Sequence, residues 1–166
     1  MGKFLGSPTY VDVTSVEQLR ALVDEDEFNL LKENLDHSGK EFFDGRYFKP
    51  EHSDKFLILM NPNAPIYRSK NTYDMVHTHE LEHAKRHAAN TLGMRMMNSN
   101  NRFISSPGVF WEELAAQKAM MSGRDVSTQD KLINYLYPIE AGIGRLLNRR
   151  IKFNALRNSI RGQNNG

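Results

Sequence analysis

Apolar and polar positions change texture along this chain, from short strand-like runs before about residue 70 to helical spacing after it. Thr9-Tyr10-Val11-Asp12-Val13 alternates loosely and predicts a short strand. Ser15, with Gln18 three residues later, has the form of a capping box that opens a helix carrying Val16, Leu19, Leu22 and Val23. A second helix is expected from Glu27 to Asp36. Phe42-Phe43 and Tyr47-Phe48 flank Asp44-Gly45, a dipeptide that accepts positive φ and so predicts a tight hairpin. Lys55 to Asn61 is the strongest strand signal. Beyond the Pro62-Asn63 turn, Ala64 to Arg68 reads as an edge strand, because Pro65 cannot donate to a ladder.

From Asn71 the spacing predicts a helix of roughly 20 residues, with Asn71 or Thr72 as cap, Asp74 in the first turn and Gly93 just past the end. Met94 to Pro107 is polar, rich in Asn and Ser, and aperiodic, which predicts a loop. Ser106-Pro107-Gly108 then opens a helix from about Val109 to Ser122, stopped by Gly123. Ser127 and Asp130 cap another, which runs through Leu132 and Leu136 and, past a kink at Pro138, through Ile139, Ile143, Leu146 and Leu147. No internal repeat is visible. Gly162 to Gly166 carries no apolar side chain and is expected to be a disordered tail on a single domain spanning 1–161. The expected fold is a mainly helical α+β domain: a small antiparallel sheet, a long helix, then a helical C-terminal half.

Composition narrows the chemistry. The chain has 166 residues and no cysteine, so disulfides, thiolate metal sites and a cysteine nucleophile are excluded, and any metal must be held by His, Asp or Glu. The longest apolar run, Phe56 to Met60, is far too short to span a bilayer. The N-terminal MGKFLGSPTYVDV lacks the apolar core of a secretion signal, so the expected location is cytoplasmic, or reached by a signal-peptide-independent secretion route. Net charge is only +2, but no acid follows Glu140, whereas Arg145, Arg149, Arg150, Lys152, Arg157 and Arg161 do. That basic stretch allows contact with nucleic acid, although a solvated helix face is the reading preferred here.

Four of the six histidines, His77, His79, His83 and His87, fall on one predicted helix, and His79-Glu80-Leu81-Glu82-His83 is an HExxH motif. Residues four apart share a helix face, so two imidazoles can converge on one ion. Glu80 sits about 100° around the axis from His79, beside such an ion rather than on it. There it can act as general base toward a water activated by Zn2+. Leu81 and Ala84 lie on faces that can pack. His77 is expected to be exposed. His87 lies roughly 12 Å of helical rise beyond His79, too far to join both partners on one ion.

A catalytic zinc needs a third protein ligand and an open position. No glycine follows His83 until Gly93, so the metzincin arrangement is missing. Trp111-Glu112-Glu113-Leu114-Ala115-Ala116-Gln117 offers two carboxylates on a later helix. Trp111 is expected to pack that helix against the first.

The segments HELEHA (79–84) and EELAAQKA (112–119) resemble zincin metallopeptidases of the glutamate-ligand type, the gluzincins, and among them NleD-like effector peptidases and the catalytic domain of anthrax lethal factor. The resemblance covers about Lys70 to Ser122. It implies a zincin-like fold and zinc-dependent hydrolysis of a protein or peptide. By position it makes His79, His83 and Glu113 the zinc ligands and Glu80 the general base, with Glu112 as the alternative third ligand. Ala116 would allow close helix packing and Gln117 would support the ligand. Gln117 replaces an acid found in several relatives, and no tyrosine precedes Glu113 at the expected distance. The oxyanion-stabilising role is therefore unassigned among Tyr67, Tyr135 and Tyr137. In such folds an edge strand pairs with extended substrate, and Pro65 to Arg68 is the segment expected to do so.

Overall fold

Phe56-Leu57-Ile58-Leu59 places apolar side chains alternately on both faces of one strand, an arrangement that is stable only when both faces are covered. The computed structural model describes residues 7–35, 45–64 and 69–162. It shows β1 (Thr9–Val13), β2 (Arg46–Phe48) and β3 (Lys55–Leu59) in the sheet order β1-β3-β2. The chain divides into two compact units, Met1–Ala88 and Ala89–Gly166.

In the first unit β3 is the central strand. On one of its faces Leu57 and Leu59 join Val13 and the buried Leu19, Phe28, Leu31 and Leu35. These come from α1 (Val16–Arg20), α2 (Glu25–Leu31) and the 3-10 turn that follows. On the other face Phe56, Ile58 and Met60 meet Ala84, with Tyr10, Tyr47, Tyr73, Val76 and Leu81 packed around them. That second layer is α3 (Lys70–Ala88), so the strand's alternation sorts two helical layers onto opposite sides of one sheet. Ser15 caps α1 by accepting the Gln18 N–H at 3.2 Å, as its capping box predicts.

The expected antiparallel sheet is in fact mixed. β2 runs antiparallel to β3, with Tyr47 opposite Ile58, but β1 runs parallel to β3, with Val11 opposite Leu57. Two helices and a long connection separate β1 from β3, and a crossover of that kind returns the chain in its starting direction, as a two-residue hairpin cannot. Phe42, Phe43 and Asp44 of the expected hairpin, and residues 65–68 of the expected edge strand with Tyr67, lie outside the described residues.

The second unit is helical. The segment expected to be a loop instead forms α4 (Leu92–Met97) and the first turn of α5 (Arg102–Met121). Thr91 caps α4 through the Met94 N–H and Asn101 caps α5 through the Phe103 N–H at 2.9 Å. Pro107 lies inside α5 rather than ahead of it. α6 (Thr128–Leu147) starts at the expected Ser127 cap and continues through Pro138. Ser106 Oγ donates to the Gly142 carbonyl at 2.6 Å and Arg145 Nε donates to Ser105 Oγ at 3.0 Å, which ties α6 to α5.

The last helix, α7 (Asn154–Gly162), includes Gly162, which was expected in the tail; residues 163–166 lie outside the described residues. Its anchor is the buried Glu140 of α6, which accepts from the Phe153 N–H and from both terminal nitrogens of Arg157. Burial works to raise the Glu140 pKa, but these hydrogen bonds and the charges of Arg157 and Lys152 outweigh it, and the carboxyl is held below its ordinary value. No helix among the described residues is long and apolar enough to cross a membrane.

Candidate metal centre

α3 is largely polar, and its position is set by the sheet rather than by its own composition. Ser69 caps it by accepting the Thr72 N–H at 3.2 Å, two to three residues earlier than Asn71 or Thr72 would have. Instead of reaching Gly93, the helix ends at Ala88, where Asn90 adopts a left-handed φ of 47°. Ala84 and Leu81 bed against the strands as expected. That seating turns His79 and His83 inward, to 9% and 5% exposure.

The two Nε2 atoms lie 3.1 Å apart, with ring centroids at 4.7 Å and planes at 78°. Imidazole nitrogens sharing a tetrahedral zinc at 2.0–2.1 Å would be separated by about 3.3 Å. The observed pair comes within a few tenths of an ångström of that spacing, so the donors fit a small cation. Glu80, one position on from His79, accepts the Tyr47 backbone N–H on Oε2 at 2.9 Å.

The other two histidines are not solvated spectators. His77 is not exposed as expected: its Nε2 lies 2.8 Å from Asp12 Oδ1 on β1, and the Tyr73 ring stacks beside it at 6.4 Å. The same carboxylate contributes elsewhere. Burial raises the Tyr73 pKa, and the charges of Asp12 and Asp74 raise it further. His87 meets Phe56 and Tyr47 edge to face at 5.4 and 6.0 Å.

Burial lowers the His87 pKa, and the Lys49 charge lowers it further. An imidazole depressed on folding takes up its proton more readily in the unfolded chain. Its contribution is thus complete above about pH 6.5, the ordinary histidine value, and is lost as pH falls through the folded value. In thermal melts of metal-free protein, His87→Gln is expected to flatten the decline in stability below that pH. A decline as steep as wild type would show that His87 is not its source.

In the helical unit the two adjacent carboxylates of α5 are sorted by their surroundings. Glu112 is fully buried and accepts from Thr91 Oγ1 at 2.8 Å. It also fills the space over Gly93, where a Cβ would overlap Glu112 Oε1 and lie 2.9 Å from its carboxyl carbon. Gly93 is therefore not a helix terminator but a close-approach position inside α4. Gly93→Ala is expected to cost about 1–3 kcal/mol, the usual penalty of overpacking, read as a lower denaturant midpoint with an unchanged slope.

Glu113 is half-buried, and Gln117 one turn later is buried with no hydrogen-bond partner for its Oε1 among the described residues. An orphaned acceptor of that kind is suited to a water or to the surroundings of an ion. Trp111 is 55% exposed, so it does not provide the buried packing expected of it. A side chain more than half in solvent has little apolar area left to bury against a neighbour.

Among the described residues, the candidate ligands for a metal ion are the imidazoles of His79 and His83 in the first unit and the carboxylate of Glu113 in the second. Glu112 is not among them. Sequence reasoning missed Tyr47 and Asp12, the partners of Glu80 and His77, because they lie 33 and 65 residues from the side chains they meet. It also missed Thr91 and Gly93 as the setting of Glu112. Comparisons with family models, with curated proteins and with solved structures find no match to this chain.

Proposed function

We propose that this chain is a zinc-dependent peptidase of the zincin type, with His79, His83 and Glu113 as ligands and Glu80 as general base. The observation that carries the reading is the buried His79–His83 pair, whose Nε2 atoms converge at 3.1 Å on a helix that also bears Glu80. A sheet, an HExxH helix and a following helical half in that order support the zincin reading of the fold. Cation-binding chemistry is favoured by the donor set, two imidazoles and one carboxylate. That set leaves a tetrahedral ion one position short.

When bound, zinc would supply Lewis-acid polarisation of the scissile carbonyl and bring the pKa of water toward 7. Glu80 would accept the proton of the attacking water on its carboxylate and pass it to the departing amine. Glu113 contributes the negative charge that offsets the cation, and Gln117 offers its orphaned acceptor nearby along the same helix.

The test is zinc content of the purified protein, its melting temperature before and after chelation, and cleavage of a denatured protein pool. Near-stoichiometric zinc, a lower melting temperature after chelation and chelator-sensitive cleavage are expected, since a ligand that binds only the folded chain stabilises it. A histidine pair that stays empty at micromolar zinc would overturn the proposal. Nucleic-acid binding through the basic C-terminal stretch is less well supported. Cations of that stretch are engaged internally, Arg157 by Glu140 and Arg145 by Ser105.

A further inference from the structure

We propose that Tyr47 is a positioning residue of this centre, whose backbone N–H orients the Glu80 carboxylate while its ring fixes the plane of the His83 imidazole. The inference rests on the metallopeptidase reading above. β2 is an outer strand of the sheet. Donors along such an edge ordinarily face solvent or another chain, but the Tyr47 N–H is directed to Glu80 Oε2 at 2.9 Å.

The backbone just before it is shaped for this approach. Gly45 has φ +129°, a conformation side-chain-bearing residues rarely adopt. A Cβ there would lie 2.6 Å from Met60 Sδ, 3.0 Å from Val76 Cγ1 and 3.3 Å from Glu80 Cγ. Glycine at 45 therefore lets the strand lie directly against the turn of α3 that carries Glu80, which puts the next amide but one within reach of the carboxylate.

The Tyr47 ring stacks on His83 at 5.6 Å and 22°, and it also meets the edge of His87. One strand residue thus touches both the proposed base and a proposed ligand. The amide bond stops rotation of the Glu80 carboxylate and leaves Oε1 as the oxygen that receives the proton. The ring limits rotation of His83 about its own bonds, which is the service that groups behind a ligand perform for metal affinity.

Three changes test this: Tyr47→Phe, Tyr47→Leu, and replacement of the Tyr47 amide by an ester, which removes the N–H and keeps the ring. Zinc affinity is read by competition with a chromophoric chelator. Tyr47→Phe is expected to match wild type, and Tyr47→Leu to bind zinc about tenfold more weakly. The ester should lower kcat about tenfold, the loss of one hydrogen bond to a charged group, with KM and zinc affinity unchanged. General loosening would not give that split.

Equal zinc affinity in the Phe and Leu variants, or an unchanged kcat in the ester, overturns the proposal; if Tyr47→Leu does not fold, the ester decides alone. Wild-type protein that takes up no zinc would instead sink the metallopeptidase reading. The Tyr47 amide-proton resonance of the metal-free chain then decides for this residue. It moves upfield on Glu80→Gln if a charge-assisted bond is present, and an unmoved resonance overturns the assignment.

Discussion

Glu80→Gln is expected to abolish peptide hydrolysis while zinc stoichiometry stays near one per chain. Glutamine keeps the shape of the side chain and an oxygen able to accept the Tyr47 N–H, so the contact at 2.9 Å persists in neutral form. What disappears is the ability to take and return a proton. General-base assistance is worth about 10²–10⁴ in rate, or roughly 3–5 kcal/mol of barrier at 1.36 kcal/mol per decade. Stability should fall only slightly, because a charged hydrogen bond is exchanged for a neutral one. Metal analysis, a thermal melt and turnover on one peptide pool distinguish the outcomes. Zinc lost together with activity would make Glu80 a ligand and remove it from the role of base.

That prediction draws on a motif that the sequence displays openly, and the reason is geometric. HExxH needs only helical periodicity to bring its members together, and both of its histidines lie within the one helix Lys70–Ala88. The Phe56–Leu59 run is equally plain, since no other element buries both faces of so short a segment. Local caps at Ser15 and Ser127 were legible for the same reason: donor and acceptor lie three residues apart.

What was hidden depends on residues far apart in the chain. Parallel pairing of Val11 with Leu57 is decided by how the intervening helices return the chain, and neither strand carries a sign of it. α4 is six residues long, too short for periodicity to register; Asn101 was read as part of a loop and Thr91 as the last turn of the preceding helix. Asp12 reaches His77 and Tyr47 reaches Glu80 only because β1 and β2 flank the same central strand beneath α3. The least readable distinction was between two neighbouring glutamates of identical chemistry, which only their burial and partners separate.

Those two glutamates give the second large effect. Glu113→Gln is expected to weaken zinc binding by at least about a hundredfold, since changes to groups merely behind a ligand cost 10–100-fold and an amide oxygen brings no charge to offset the cation. Hydrolysis should fall in parallel at limiting zinc and recover partly when zinc is raised. Glu112→Gln should behave in the opposite way. Its side chain is fully buried between Thr91 Oγ1 and Gly93, and the amide oxygen can still accept from the threonine. The cost then falls on folding, about 1–3 kcal/mol for a disturbed buried polar contact, with zinc affinity unchanged within about twofold. Competition titrations and denaturant melts on both variants separate these effects. If Glu112→Gln loses the metal and Glu113→Gln retains it, the ligand assignment is reversed, and Thr91 becomes the group that orients the ligand rather than a cap holding a structural carboxylate.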